Sequence, residues 1–421
     1  MNKLIENIPQ RWNISKLKYF SDIFGRIGFR GYTASDLVDE GEGAITLGPP
    51  NIENQKLNLT NKKYISWEKY YESPEIQISN GDILLVKTAS VGKVALVENL
   101  KEPTTINPQL VVFKNIIINP KFFYYSMISD IFQYQVSKNL NGGVISTLSQ
   151  ENIQNYSIPI PPNKEQKQIA NYLDKKTSKI DTTIAKNKEL INLLEEKRTA
   201  LINQVVTKGL NPEVPMKDSG IEWIGEIPEH WEIKSLKNVV NIIMGQSPDS
   251  NDINDEKKGF LFMQGNAEFT NLYPKPSEYC TAPKKISREG DILMSVRAPV
   301  GELNISDKRY GIGRGLCSIK AIKVESRFLW YYLINSKGDF NYYSNGSTFD
   351  AITISNLSSF PISIPPLHEQ NQITSYLDKE TSIIDKIIDK IKENINLLEE
   401  YKTSLIHHVV TGKIDVRGEE I

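Results

Sequence analysis

Ile160-Pro161-Pro162, followed by Glu165-Gln166 and Tyr172-Leu173-Asp174-Lys175, decides the fold because the chain writes it twice: it returns as Ile364-Pro365-Pro366, Glu369-Gln370 and Tyr376-Leu377-Asp378-Lys379. The same offset carries Leu193-Leu194-Glu195-Glu196 onto Leu397-Leu398-Glu399-Glu400, and Val205-Val206-Thr207 onto Val409-Val410-Thr411. An ungapped match over roughly fifty residues is an internal repeat. After each Pro-Pro pair no proline or glycine follows until Gly209 in one copy and Gly412 in the other. Each copy therefore reads as one long helix with a glycine stop. About forty-five residues at about 1.5 Å each would run about 65 Å.

Alternating steps of four and three pick out one stripe in each helix. The first is Leu173, Thr177, Ile180, Ile184, Asn187, Ile191, Leu194, Arg198, Leu201, Val205; the second is Leu377, Thr381, Ile384, Ile388, Ile391, Ile395, Leu398, Lys402, Leu405, Val409. That is a coiled-coil seam with a few polar positions that would help set register. A lone helix of this length with one apolar stripe does not persist in water, so the economical partner is the other copy. A whole globular segment separates the copies, so an antiparallel pairing lets the chain return and places the two domains at opposite ends.

Outside the helices the duplication continues more loosely. Ile8-Pro9-Gln10-Arg11-Trp12 is matched by Ile227-Pro228-Glu229-His230-Trp231, and Gly81-Asp82-Ile83-Leu84 by Gly290-Asp291-Ile292-Leu293. Residues 21–80 and 241–289 barely correspond. The pattern is a duplicated scaffold with divergent inserts. Strand-like runs such as Ile83-Leu84-Leu85-Val86 and Gln109-Leu110-Val111-Val112-Phe113, broken by turns and by a helical stretch from Pro120 to Gln135, make each insert mixed. The expected class is α+β: two mixed α/β domains and two long helices forming an antiparallel intramolecular coiled coil with an internal pseudo-two-fold repeat. The expected segments are residues 1–160 (first domain), 161–209 (first helix), 210–226 (linker), 227–364 (second domain), 365–413 (second helix) and 414–421 (tail).

The two cysteines, Cys280 and Cys317, are too few for a disulfide framework, and the N-terminus has no apolar leader core. A cytoplasmic protein without a membrane segment is expected. The formal net charge of -1 is not that of a protein gripping nucleic acid by electrostatics alone. There is no phosphate-binding Gly-x-x-x-x-Gly-Lys loop and no Asn-Pro-Pro-Tyr-type methyltransferase run. The Gly311-Ile312-Gly313-Arg314-Gly315 run reads as a turn, Trp12 and Trp231 as core or docking anchors, and His407-His408 as a surface feature near a helix end. No metal site is expected.

Two related but divergent domains on a stiff spacer amount to a ruler, and DNA is the ligand for which fixed spacing has meaning. The chain resembles the specificity subunit of type I restriction-modification systems. The likeness rests on Trp12 and Trp231 in their Ile-Pro openings, the Gly-Asp-Ile-Leu turns and the Ile-Pro-Pro-x-x-Glu-Gln helix starts. The central Met216-Lys217-Asp218-Ser219-Gly220-Ile221-Glu222-Trp223-Ile224-Gly225 and the Gly25–Tyr32 stretch add to it. The resemblance implies a non-catalytic subunit whose domains each read half of an interrupted site in double-stranded DNA. It implies two modification (methyltransferase) subunits docked on the helices, joined by restriction (translocase and nuclease) subunits. S-adenosylmethionine, ATP and Mg would sit on those partners, with no cofactor in this chain. Base reading falls to polar side chains on variable loops. The candidates are Arg26, Arg30, Lys87, Ser90, Lys93, Asn139 and Asn141 in the first domain, and Gln246, Arg297, Arg309, Arg314, Asn345 and Thr348 in the second. The competing readings are an enzyme with an unrecognised site and a coiled-coil assembly protein.

Overall fold

The computed structural model describes residues 8–26, 31–140, 147–340 and 351–418. The chain divides into two compact units, Met1–Asn187 with Lys392–Ile421, and Lys188–Ile391. Each unit holds one globular domain, the first half of one long helix and the second half of the other.

In the first unit Asn13–Lys16 pairs antiparallel with Ser157–Ile160, closing the domain's first segment on its last. Between them lie two four-stranded sheets. One runs Thr104–Ile106, Gly43–Leu47, Tyr64–Ser66, Leu37–Val38, and its first pair is parallel. The other is antiparallel and runs Asp22–Phe24, Leu110–Lys114, Ile83–Val86, Val94–Leu96. The apolar run Ile83–Val86 is continuous because both faces are covered. Leu84, Val86 and Val112 pack with Ile45 and Leu47 of the first sheet, whereas Ile83, Leu85, Val111 and Phe113 pack with Phe123, Met127 and Phe132. The helix expected over 120–135 is two helices, Pro120–Ile128 and Asp130–Lys138. Ser129 separates them in an extended conformation, its hydroxyl donating to the Ser126 carbonyl at 2.7 Å. A serine that satisfies backbone groups with its own side chain competes with helix continuation.

The second unit repeats the plan. Glu232–Ser235 pairs with Pro361–Ile364. A four-stranded sheet runs Val240–Met244, Leu316–Ala321, Ile292–Ser295, Leu303–Ile305, and a five-stranded one runs Ile253–Asn254, Tyr279–Cys280, Phe260–Met263, Tyr310–Ile312, Ile286–Ser287. Again one pair, Phe260–Met263 with Tyr310–Ile312, is parallel. The stretch expected as a plain linker contains a strand pair, Met216–Asp218 with Glu226–Pro228.

The long helices span Asn163–Lys208 and Leu367–Val410. Within the first unit Asp181 meets Lys402 at 2.6 Å and Asn187 meets Asn394 at 3.2 Å, so the segments run antiparallel. Within the second unit Arg198 lies 3.3 Å from Asp385, the corresponding pair of the repeat. Leu173, Ile180, Ile184, Leu377, Ile384, Ile388 and Ile395 of the seam are buried. Two seam threonines serve the domains as well. Thr177 lies 3.1 Å from the Tyr125 hydroxyl and Thr381 lies 3.3 Å from that of Tyr331, while the same tyrosines donate to Asp174 and Asp378 at 2.7 and 2.6 Å.

The tryptophans join helix to domain. Trp12 Nε1 donates to Glu165 at 3.0 Å, at the start of the first helix, and its ring faces Gly412 at the end of the second. Trp231 Nε1 donates to Glu369 at 2.8 Å, and its ring faces Gly209. Both glycines have positive φ, +72° and +76°, and a Cβ on either would press on the indole. His407 is buried, contrary to the expected surface position: the helix end packs on the first domain, with Nδ1 3.8 Å from Asp130. Burial lowers its pKa.

Candidate nucleic-acid interface

The parallel strand pair of each domain ends at a place where several loop backbones meet. In the second unit Gly245 N donates to Leu316 O at 2.8 Å, Gln246 N to Ile312 O at 2.9 Å, Val296 N to Gly315 O at 2.9 Å and Gly313 N to Met263 O at 2.8 Å. These bonds bring Gln246, Arg297 and Arg314, all exposed, onto neighbouring backbone, together with Ser247 and Gln264. The glycines make this possible. A Cβ on Gly245 would lie 2.1 Å from Gly313 O, and one on Gly315 would lie 2.6 Å from Gln264 O. The glycine run makes the expected turn at Arg314-Gly315, and that turn is also a close backbone crossing that presents Arg314. Arg309 stands at the start of the strand that Arg314 follows, its guanidinium 5.6 Å from the centre of the Phe260 ring. Arg297 also bridges Ala351, as Thr88 bridges Thr147 in the first unit.

The first unit builds the equivalent crossing. Lys87 N donates to Gln109 O at 2.9 Å and Asn107 N to Leu47 O at 2.8 Å. Lys87 is half-buried there, and burial lowers its pKa. Ser90 is exposed in the turn after Ile83–Val86, where Ala89 takes φ 67° and Gly92 φ 92°, and Lys93 stands at the turn's far side, half-buried. Two candidates occupy structural positions instead. Arg26 is 3% exposed, donates to Ile106 O at 3.2 Å and lies 5.5 Å from the Tyr32 ring centre; burial lowers its pKa. An arginine walled in this way braces the sheet edge and does not face solvent. Asn139 ends the helix Asp130–Lys138, its amide donating to Gln135 O at 2.8 Å. Arg30, Asn141, Asn345 and Thr348 lie outside the described residues.

Sequence reading missed Asn107, Gln109, Ser247 and Gln264. Only the strand pairing brings them to the crossing, and no short motif marks them. A concavity of about 470 Å³, lined by Asp130, Glu399, Glu400, Thr403, Ser404, His407 and His408, contains none of the candidates; its acidic lining suits a cation, not phosphate. Among the described residues no group of three or more His, Cys, Asp or Glu could hold a metal ion, and no helix is long and apolar enough to cross a membrane.

Two matched domains with divergent loop crossings on one duplicated helix scaffold are the arrangement of a protein that presents two different binding surfaces. The family model described as the type I restriction modification DNA specificity domain matches residues 9–195 and 228–397. A protein of Methanocaldococcus jannaschii provisionally named the MjaX type I restriction enzyme specificity subunit is 34% identical over 98% of this chain and 96% of its own length. The MjaVIII specificity subunit of the same organism is 26% identical over 82% of this chain and 81% of that protein. Among solved structures, a chain from a study of complex assembly and conformational transition in the type I R-M system aligns with TM-score 0.77 at 23% identity, covering 97% of this chain and all (100%) of that one. The HsdS subunit from Thermoanaerobacter tengcongensis aligns with TM-score 0.57 at 23% identity, over 98% and 100%. The chain belongs to the type I restriction-modification DNA specificity family. It is the DNA-specificity component, with two target-recognition domains and no catalytic role of its own.

Proposed function

We propose that the chain reads an interrupted site in double-stranded DNA, one half-site per domain, with the helix pair setting the gap and the complex working in the cytoplasm. The observation that carries this reading is the paired clamp: Trp12 and Trp231 each hold the start of one helix and the end of the other, in domains whose reading edges differ. In the first domain Lys87, Ser90 and Lys93 are the contact residues that the geometry still supports; in the second they are Gln246, Arg297, Arg309 and Arg314.

Two modification subunits dock on the helices. Leu193 and Leu397, at corresponding places of the repeat, are 54% and 56% exposed, and Tyr401 is 56% exposed. Apolar side chains off the seam, left in water at repeated positions, suit a partner of which two copies bind. Restriction subunits join that core. S-adenosylmethionine, ATP and Mg belong to the partners, which carry out methylation, translocation and cleavage.

The test is methylation or binding of duplex DNA by the complex of this chain with its modification subunits. One interrupted sequence is expected to be preferred strongly at moderate salt. Equal binding of unrelated duplexes would overturn the reading, as would methylation or cleavage of DNA by this chain alone.

A further inference from the structure

At the end of its parallel strand pair each unit lays an amide side chain over a glycine, with the two partners exchanged between units. In the first, Asn107 covers Gly48, where a Cβ would come within 2.8 Å of Nδ2. In the second, Gln264 covers Gly313, where a Cβ would come within 2.4 Å of Oε1. The two amides differ in what is left to them. Asn107 Nδ2 donates to Gln109 Oε1 at 3.1 Å and its Oδ1 accepts the Gln109 N–H at 2.9 Å, so both ends are occupied inside the loop. Gln264 is exposed, and its Nε2 donates to the Ser247 hydroxyl at 2.8 Å. That bond uses one of the two amide hydrogens and fixes which way the group turns. A second N–H and the carbonyl oxygen, which lies against Gly313, have no hydrogen-bond partner among the described residues; a glutamine amide supplies the donor and the acceptor that complement N7 and the N6 amino group of adenine in the major groove.

We propose that Gln264 is a specificity-determining residue of the second target-recognition domain, that it reads an adenine in that domain's half-site, and that Ser247 is its positioning residue. The proposal rests on the reading above and deepens it. Gln264 stands on a strand end, floored by backbone too close for any side chain, which is the rigid mounting that a base contact needs. Gln246, Arg297 and Arg314 surround it on the loops already described.

The test uses the complex of the full chain with its modification subunits, whose site is first read from the methylation pattern of cellular DNA. Duplexes carrying every base at every position of the second half-site are then compared. Gln264→Ala is expected to lower discrimination about ten-fold or more at one adenine and to leave the first half-site unchanged. Ser247→Ala is expected to give a smaller loss at that same position. Gln264→Glu keeps the volume but only accepts, so preference there is expected to move toward cytosine, whose N4 group donates. The proposal is overturned if all three variants keep wild-type discrimination throughout, or if the loss spreads over both half-sites. Should Gln264→Ala fail to fold, Ser247→Ala and Gln264→Glu decide the matter. A wild-type complex without any sequence preference would sink the broader reading instead.

Discussion

The carboxylate of Glu165 accepts both the indole N–H of Trp12, at 3.0 Å, and the Arg11 guanidinium, at 2.9 Å. A residue of the domain's first strand region is thereby fixed to the first turn of the long helix. Replacing Glu165 by Gln keeps an acceptor for the Trp12 indole but removes the ion pair with the 41% exposed Arg11, so a small loss of stability is expected. Trp231→Ala should cost more, about 3–5 kcal/mol, because the fully buried indole leaves a cavity and Glu369 loses one of its two partners, keeping only His230. Denaturant unfolding followed by tryptophan fluorescence and by circular dichroism checks both. Equal midpoints for wild type and Glu165→Gln would remove the clamp from the account.

The same clamp predicts a pH dependence. The Arg11 hydrogen bond is the main cause holding the Glu165 carboxyl below its ordinary range. Because the folded value lies below the unfolded one, the contribution is fully present above about pH 4.3 and is lost as pH falls through the folded value. The stability difference between wild type and Glu165→Gln should therefore narrow on acidification. Unfolding midpoints at pH 7 and pH 3.5 measure it, and a difference independent of pH would contradict the linkage.

Asp181 is shared by Lys402 of the second helix at 2.6 Å and by Lys56 of the first domain at 2.7 Å. Burial works to raise its pKa, but the two lysines outweigh it and the carboxyl is held low. Asp181→Ala is expected to destabilise the first unit by about 1 kcal/mol or somewhat more, since both lysines lose their partner in a partly exposed setting. Limited proteolysis, with cleavage sites assigned to the two units, should show faster cutting in the first.

Among the arginines the structure separates the buried Arg26 from the exposed Arg297 and Arg314, which are proposed to contact DNA. Arg26→Ala should lower stability and leave the preferred DNA sequence alone, because the side chain is walled in beneath Ile106 and Tyr32. Arg314→Ala and Arg297→Ala should leave folding intact and weaken selection at the second half-site only, by about 1–3 kcal/mol for a base contact, or flatten the salt dependence by about one ion if the contact is to phosphate. Binding to duplex variants across a salt series distinguishes these outcomes.

Leu193→Asp and Leu397→Asp place charges on exposed helix positions. Each should leave the unfolding free energy within about 0.5 kcal/mol while weakening association with the modification subunit. Size-exclusion chromatography with light scattering reads the stoichiometry. Unchanged assembly in the double variant would move the docking surface elsewhere.

The duplication, the long helices and the antiparallel seam were legible in the sequence because each is a periodic property. A repeat of Ile, Leu and glycine stops needs no knowledge of what lies across from it. Ile83–Val86 likewise announced a buried strand by composition. The break at Ser129 was not legible, since a serine within an apolar stretch is compatible with helix until its hydroxyl finds a carbonyl. Nor was the burial of His407, which depends on Asp130 and the first domain packing against the helix end.

The sequence by itself determined the plan of this protein: two copies of one scaffold, each a divergent mixed domain followed by a helix that requires a partner. Only the tertiary structure decided which polar residues stand exposed at the loop crossings of each domain. Arg26 and Arg314 are equally polar in the sequence, yet one is closed in behind Ile106 and the other rides on a glycine crossing beside Gln264. The reason is physical. Periodicity records what a segment buries along its own length, whereas a binding edge is made by segments far apart in the chain, whose meeting is fixed by strand pairing and close backbone approach.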